Sequence, residues 1–368
     1  MNFSNALSIF EGKRILITGH TGFKGSWLSI WLSHLGADVV GLSLEYQTTP
    51  SHFDAANLDD CIESHFFDIK EVQRLAKLIE DTQPDYIFHL AAQALVRRSY
   101  LNPLETWHTN TIGTANLLES LKGYTKKVVV IMVTSDKSYD NLEWVWGYRE
   151  TDALGGADPY SASKGAAELV IKSYTKSFFP ADGNVRIGVG RAGNVIGGGD
   201  WAEDRIVPDS IRASALNQKV LLRNPISTRP WQHVLEPLSG YIALAIELSK
   251  SSQHHGEAFN FGPPAQQNHS VGELVNKMAK YWDKIKWEDV SSDYGGPYES
   301  GLLKLNCDKA LHYLKWQAVW DFESTVRETV LWYRAYYSNP KGSVKKFSED
   351  QILAYTQKAK EKGLLWAQ

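Results

Sequence analysis

The chain has 368 residues, 43% of them hydrophobic, with 39 Lys plus Arg against 42 Asp plus Glu and a formal net charge of −3. That length suffices for two lobes around a large core, and so small a charge gives no general attraction to nucleic acid or to an anionic membrane. The two cysteines, Cys61 and Cys307, are far apart, which excludes a disulfide framework or a zinc pattern and makes a reducing, cytoplasmic setting the expectation, with no signal peptide, membrane span or metal site.

In chain order, residues 15–18 are a short apolar run, read as a buried parallel strand. It breaks on Gly19-His20-Thr21-Gly22-Phe23-Lys24-Gly25 and continues as an apolar helix to Gly36. Strand, glycine turn and helix N-terminus make a phosphate cradle, because glycines admit close backbone approach and the free N–H groups favour an anion. The spacing departs from G-x-G-x-x-G but still marks a dinucleotide site, whereas a P-loop is absent because Gly25 follows Lys24. A second strand over 37–42 ends at Ser43, with Glu45 beyond, where an acidic residue often holds a ribose. The ribose contact is therefore left open. A third strand is expected at 66–69 with Asp68 at its exit, a helix over 72–80, and a fourth strand over 85–92 running into small residues. A long helix follows at 103–121. The β-branched run 128–133 is a central strand ending in Thr134-Ser135-Asp136-Lys137.

This alternation predicts an α/β fold with a doubly wound parallel sheet, and ligands in such sheets lie beyond the carboxyl ends of the strands. Pro159 opens the next helix, on which Tyr160 and Lys164 stand at i and i+4 and share a face. A lysine ammonium beside a phenol lowers its pKa and yields a general base. By itself the pair is also what a surface helix shows; the glycine cradle turns the reading towards chemistry. A sixth strand is expected at 188–195, then a glycine loop at 197–199. Arg205, Arg223 and Arg229 fall in loop-like surroundings and are candidates to clamp a diphosphate. Helices at 235–250, 274–282 and 322–336 and a strand at 257–261 complete the chain. The expected division is a dinucleotide-binding lobe over 1–190, with 235–258 packing back on it, and a smaller mixed α/β substrate lobe over 191–368.

The glycine turn, the Tyr160/Lys164 pair and the length resemble the extended short-chain dehydrogenase/reductase superfamily and, within it, the nucleotide-sugar 4,6-dehydratases. The most specific stretches are 19–27, 134–139, 190–201 and 229–234. The resemblance implies a Rossmann-type fold, bound NAD and an internal redox dehydration with CDP-glucose as substrate, in O-antigen sugar biosynthesis. Tyr160, assisted by Lys164, would take the proton from the 4-hydroxyl. Ser135 would donate to the 4-oxygen, and Asp136, kept protonated by burial, would act on the leaving 6-hydroxyl. Lys137 stands where many relatives carry glutamate and is read as the C5 base. Gly19, Thr21, Gly22, Phe23, Lys24, Gly25, Asp68, Ile69, Leu90, Ala91 and Ala92, with Tyr160 and Lys164, would hold NAD. Gln93, Asn194, Arg205, Arg223, Arg229 and Glu299 would meet the substrate. The helices at 103–121 and 160–178 resemble those of a four-helix dimer interface, giving a homodimer or homotetramer. The alternatives are a 4-epimerase, a decarboxylase, a dehydratase for another nucleotide-sugar, and a dinucleotide-binding regulator.

Overall fold

A computed structural model of the chain describes residues 6–46, 48–291, 302–339 and 342–368. Seven parallel strands form the central sheet: β1 Arg14–Thr18, β2 Asp38–Ser43, β3 Glu63–Phe66, β4 Tyr86–His89, β5 Val128–Val133, β6 Val185–Ala192 and β7 Ala258–Phe261. Their order is β7-β6-β5-β4-β1-β2-β3, so the chain reverses direction between β1 and β4. Side chains alternate between two cores. Ile15, Ile17, Val129 and Ile131 enter one, and Leu16, Val128, Val130 and Met132 the other. Every residue of β5 is buried, as its uninterrupted apolar run requires when both faces are covered.

Helices α1 Phe23–His34 and, from the second half of the chain, α6 Leu235–Lys250 cover the first face. The second is covered by α2 Val72–Thr82, α3 over 103–120 and α4 Pro159–Phe178. Helix α3 is Pro103–Trp107 and Gly113–Ser120 joined by a π-turn at His108–Ile112. The sequence pattern carries no sign of that turn. The third strand lies a little earlier than its pattern suggests, at Glu63–Phe66, so Asp68 follows the strand rather than ending it. The smaller lobe carries α5 Ile206–Ala215, α7 Val271–Tyr281 and α8 Phe322–Ser338 with short paired strands, among them Thr228–Arg229 antiparallel to His269–Ser270. The last helix, α9 Lys345–Glu361, returns to the first lobe, where the Tyr355 ring meets Trp31 at 5.8 Å. Among the described residues no helix is long and apolar enough to cross a membrane.

Helix α6 is buried almost all round, which explains its apolar composition, and it carries one buried carboxylate. Glu236 accepts from the amides of Trp320 at 2.7 Å and Val319 at 2.9 Å and from the Tyr355 hydroxyl at 2.6 Å. Burial nevertheless pushes its pKa up to about 7. A raised folded-state value means the native protein holds the proton more tightly. The contribution is therefore full below the unfolded value near 4.5 and is lost as pH climbs through about 7. We expect urea unfolding to show this loss between pH 5 and 8. Glu236→Gln should flatten it, at a cost of about 1–3 kcal/mol, because one side of the amide then opposes a backbone N–H.

Candidate functional site

The carboxyl ends of β1, β4, β5 and β6 converge. After β1, Gly19 takes φ +80°, and a Cβ there would stand 2.8 Å from the Ala91 amide nitrogen; a Cβ on Gly25 would run into the Gly19 carbonyl. Leu90 and Ala91 in turn bond Thr18, through its carbonyl at 2.9 Å and its hydroxyl at 3.2 Å. Gly22 caps α1 with no side-chain bond, so the amides of the first turn, from Phe23 onward, open towards the strand ends. Such a cradle fits the diphosphate of a dinucleotide. Thr21 is hydrogen-bonded to Ser43 at 2.7 Å and donates to the Leu44 carbonyl at 3.2 Å. Asp68 pairs with Lys70 at 3.1 Å, and the Ile69 side chain is buried against Gly113. Ala92 follows in the same loop.

At the end of β5, Ser135 caps a short turn by accepting from the Lys137 amide at 3.2 Å, and its hydroxyl donates to Asp136 Oδ1 at 3.0 Å. Burial holds the Asp136 carboxyl above the usual range, against the opposing pull of Lys137, Ser135 and Lys24. Gly193 lies close against this carboxyl, since a Cβ there would stand 2.9 Å from Asp136 Oδ2. Asp136 and Lys137 line a small cleft with Asn194, Arg229, Pro230 and Leu303.

Helix α4 starts on Asp158, which accepts from the Ser161 amide at 2.9 Å. Tyr160 and Lys164 are 8% and 7% exposed. The expectation that Lys164 lowers the phenol is corrected here. Burial dominates and pushes Tyr160 up to about 12, and the charges acting on it are those of Asp136, Arg205 and Asp158. Burial likewise brings Lys164 down to about 8, opposed by Glu168 one turn further on.

The remaining candidates separate. Gln93 uses its side chain within its own loop and α3, with bonds to Leu95 and to Thr106 at 2.9 Å. Arg205 pairs with Asp200 at 2.8 Å and acts on Tyr160 and Lys24, so it belongs beside the tyrosine. Arg223 reaches Asp204 at 3.7 Å, and Arg229 donates to the Thr228 carbonyl at 2.8 Å. Glu299 lies outside the described residues.

Sequence reasoning missed three features. Half-buried Lys24 lies near Asp136 with its ammonium 5.9 Å from the centre of the Tyr241 ring, and desolvation lowers it to about 8. His20 packs its ring on Gly41 between Phe53 and Phe66, and burial lowers it to about 4. Arg191 on β6 clasps Glu168 at 2.8 and 3.0 Å, while Thr134 donates to Glu168 at 2.5 Å and Arg191 donates to the Tyr139 hydroxyl at 2.7 Å. Glu168 stands at i+8 from Tyr160 on the same helix. Arg191→Met should cost about 3–5 kcal/mol by leaving a buried carboxylate unpaired. The double change with Glu168→Leu should recover much of that in denaturant titrations.

The sequence profile of the GDP-mannose 4,6 dehydratase family matches residues 16–329. A CDP-glucose 4,6-dehydratase of Salmonella typhimurium is 48% identical over 334 residues, covering 89% of this chain and 92% of that protein. Among solved structures, a dTDP-glucose 4,6-dehydratase from Bacillus anthracis in complex with NAD has a TM-score of 0.72 at 22% identity, covering 88% of this chain and 97% of that one. A UDP-glucose 4-epimerase from Thermotoga maritima with UDP-glucose gives the same TM-score at 21% identity, over 88% and 99%. The fold is thus common to dehydratases and epimerases.

Proposed function

The chain belongs to the GDP-mannose 4,6 dehydratase family, and on that footing we propose that it converts CDP-glucose to CDP-4-dehydro-6-deoxy-glucose and water. The observation that carries this reading is the buried Asp136, close enough to act on Tyr160, beside Lys137 in one cleft. A 4-epimerase needs no acid and base for C5–C6, and these two residues are that additional pair. A regulator that only binds the dinucleotide has no use for Tyr160, Lys164 and Asp136 together. The choice of CDP-glucose rests on the 48% identity to the Salmonella enzyme.

Bound NAD supplies the redox chemistry, oxidation at C4 and reduction at C6. Gly19, Thr21, Gly22, Phe23, Lys24 and Gly25 would hold its diphosphate, with Asp68, Ile69, Leu90, Ala91 and Ala92 along the rest. Tyr160 takes the 4-hydroxyl proton. With the phenol near 12, little of the phenolate that takes this proton is present at neutral pH. Lys164, one turn along the same face, is the cation the helix keeps available to it. Ser135 donates to the 4-oxygen as charge develops there. Lys137 removes the C5 proton and, after exchange with solvent, delivers one back. Asp136, protonated through burial, releases the 6-hydroxyl as water. Asn194 and Arg229 in the cleft meet the diphosphate, and Arg205, Arg223, Gln93 and Glu299 complete the substrate set. The lobes divide as 1–190 with 235–258 for NAD and 191–368 for the nucleotide-sugar. The chain works in the cytoplasm, in O-antigen sugar biosynthesis.

Leu101, Leu104 and Leu169 are 79%, 72% and 59% exposed, beside Tyr100, Ile112 and Phe178. These side chains lie on or next to α3 and α4 and supply the apolar face through which we assign a homodimer, with a homotetramer as its possible doubling. Leu104→Glu with Leu169→Glu should yield monomers in sedimentation.

Incubation with CDP-glucose and NAD+ in heavy water should give the 4-keto-6-deoxy product with one deuterium at C5. Recovery of a C4-inverted sugar would replace the dehydratase by an epimerase. Lys137→Met should stop elimination while reduced cofactor still accumulates; normal dehydration by that variant would remove Lys137 as the base. The rate should fall as pH rises through about 8, where Lys164 loses its charge.

A further inference from the structure

The dehydration proposed above moves protons unevenly. In one turnover the O4–H proton passes to the Tyr160 oxygen. The C5–H proton goes to Lys137 and an exchanged one comes back, and oxidation at C4 cancels reduction at C6. The C6–O bond breaks, and the hydroxyl leaves as water with the proton from Asp136. Each turnover therefore leaves Tyr160 one proton richer and Asp136 one proton poorer. Before the next turnover, one proton has to travel from the phenol to the carboxylate.

Both groups are nearly dry, at 8% and 6% exposure. Ser135 lies between them. Its hydroxyl donates to Asp136 Oδ1 at 3.0 Å, and it stands near enough to the Tyr160 phenol to draw that group's pKa down against burial. A hydroxyl has one donor and two acceptor lone pairs, so it can accept from the phenol while donating to the carboxylate. On the other side of Asp136, Oδ2 faces Gly193. The oxygen that Ser135 holds is Oδ1.

We propose that Ser135 is the proton return of the catalytic cycle. The Tyr160 O–H bond breaks as a new O–H bond forms on Ser135, while the original Ser135 proton moves to Asp136 Oδ1. Phenol and carboxylate become phenolate and carboxylic acid, the serine ends as it began, and no external acid is consumed. One hydroxyl proton cannot serve the sugar 4-oxygen and Asp136 together, so the return follows release of the product. Tyr241 is the rival carrier. Its buried hydroxyl has no partner among the described residues, and Tyr160 and Asp136 are the charges that act on it.

The test is rapid-quench product formation from CDP-glucose with NAD+-loaded enzyme, comparing wild type, Ser135→Ala, Ser135→Thr and Tyr241→Phe over a range of imidazole concentrations at fixed pH. The first turnover draws on a proton already on Asp136; later turnovers need its replacement. Ser135→Ala should release one product per site and then run about 10²-fold slower than its own first turnover, with the slow phase quickened by imidazole. Ser135→Thr keeps the hydroxyl and should show no such break, nor should Tyr241→Phe or wild type. Equal loss in both phases of Ser135→Ala, complete loss included, overturns the proposal and confines Ser135 to the 4-oxygen. A break in Tyr241→Phe instead overturns it in favour of that hydroxyl. Absence of the 4-keto product from wild type itself would be a failure of the dehydratase reading, visible before any variant is compared.

Discussion

Arg191 and Glu168 meet inside the protein with side chains 4% and 5% exposed, and neither could remain there charged without the other. The pair ties β6 to α4. Thr134 at the end of β5 and Tyr139 beyond it join the same cluster, and Asn260 on β7 accepts from Tyr139 at 2.8 Å. The tie fixes the helix that carries Tyr160 and Lys164 against the strand end that carries Ser135, Asp136 and Lys137. Because the guanidinium holds Glu168 through two nitrogens, the clasp resists sliding along the strand as well as separation.

Removal from water, more than pairing, sets the proton affinities around Asp136. It raises the carboxyl and the phenol and lowers Lys24 and Lys164. All four shifts favour the neutral form of each group. For Asp136, Lys24 and Lys164 that moves titration towards physiological pH, whereas Tyr160 moves further from it. Arg205 is the exception. Asp200 keeps it charged, and it remains a fixed positive charge beside groups that titrate.

The parts of this site legible in the sequence are those written in short spacings. Gly19, Gly22 and Gly25 announce a strand-to-helix turn, Tyr160 and Lys164 one helix face, and Ser135-Asp136-Lys137 a strand exit. The seven-stranded sheet followed from apolar runs alternating with helical periods. The rest depends on distance in sequence. Nothing near Arg205 shows that it will lie by Tyr160, and nothing near Lys24 shows that its ammonium will come near Asp136. The phenol's upward shift was misjudged for the same reason. A one-turn spacing displays the lysine but hides the burial, and burial is the larger effect. Glu236 reads as an ordinary polar position at a helix start, until amides from more than eighty residues away close on it.

The π-turn at His108–Ile112 lodges one surplus residue in α3. Inside it, Asn110 accepts from the Gln93 amide at 2.8 Å and donates to the Gln93 carbonyl at 3.1 Å and to Ser163 at 2.9 Å. A regular helix turns about 100° per residue, so the surplus residue sets the azimuth of everything before it against everything after. Deleting a single position there would leave a smoother helix and a worse protein. Leu104 would revolve away from its outward face, and Asn110 would lose its grip on the loop that follows β4. An apparent flaw in helical regularity thus works as a phase adjuster, letting one rod present its outer stripe and its inner fastening in directions that an unbroken helix could not combine.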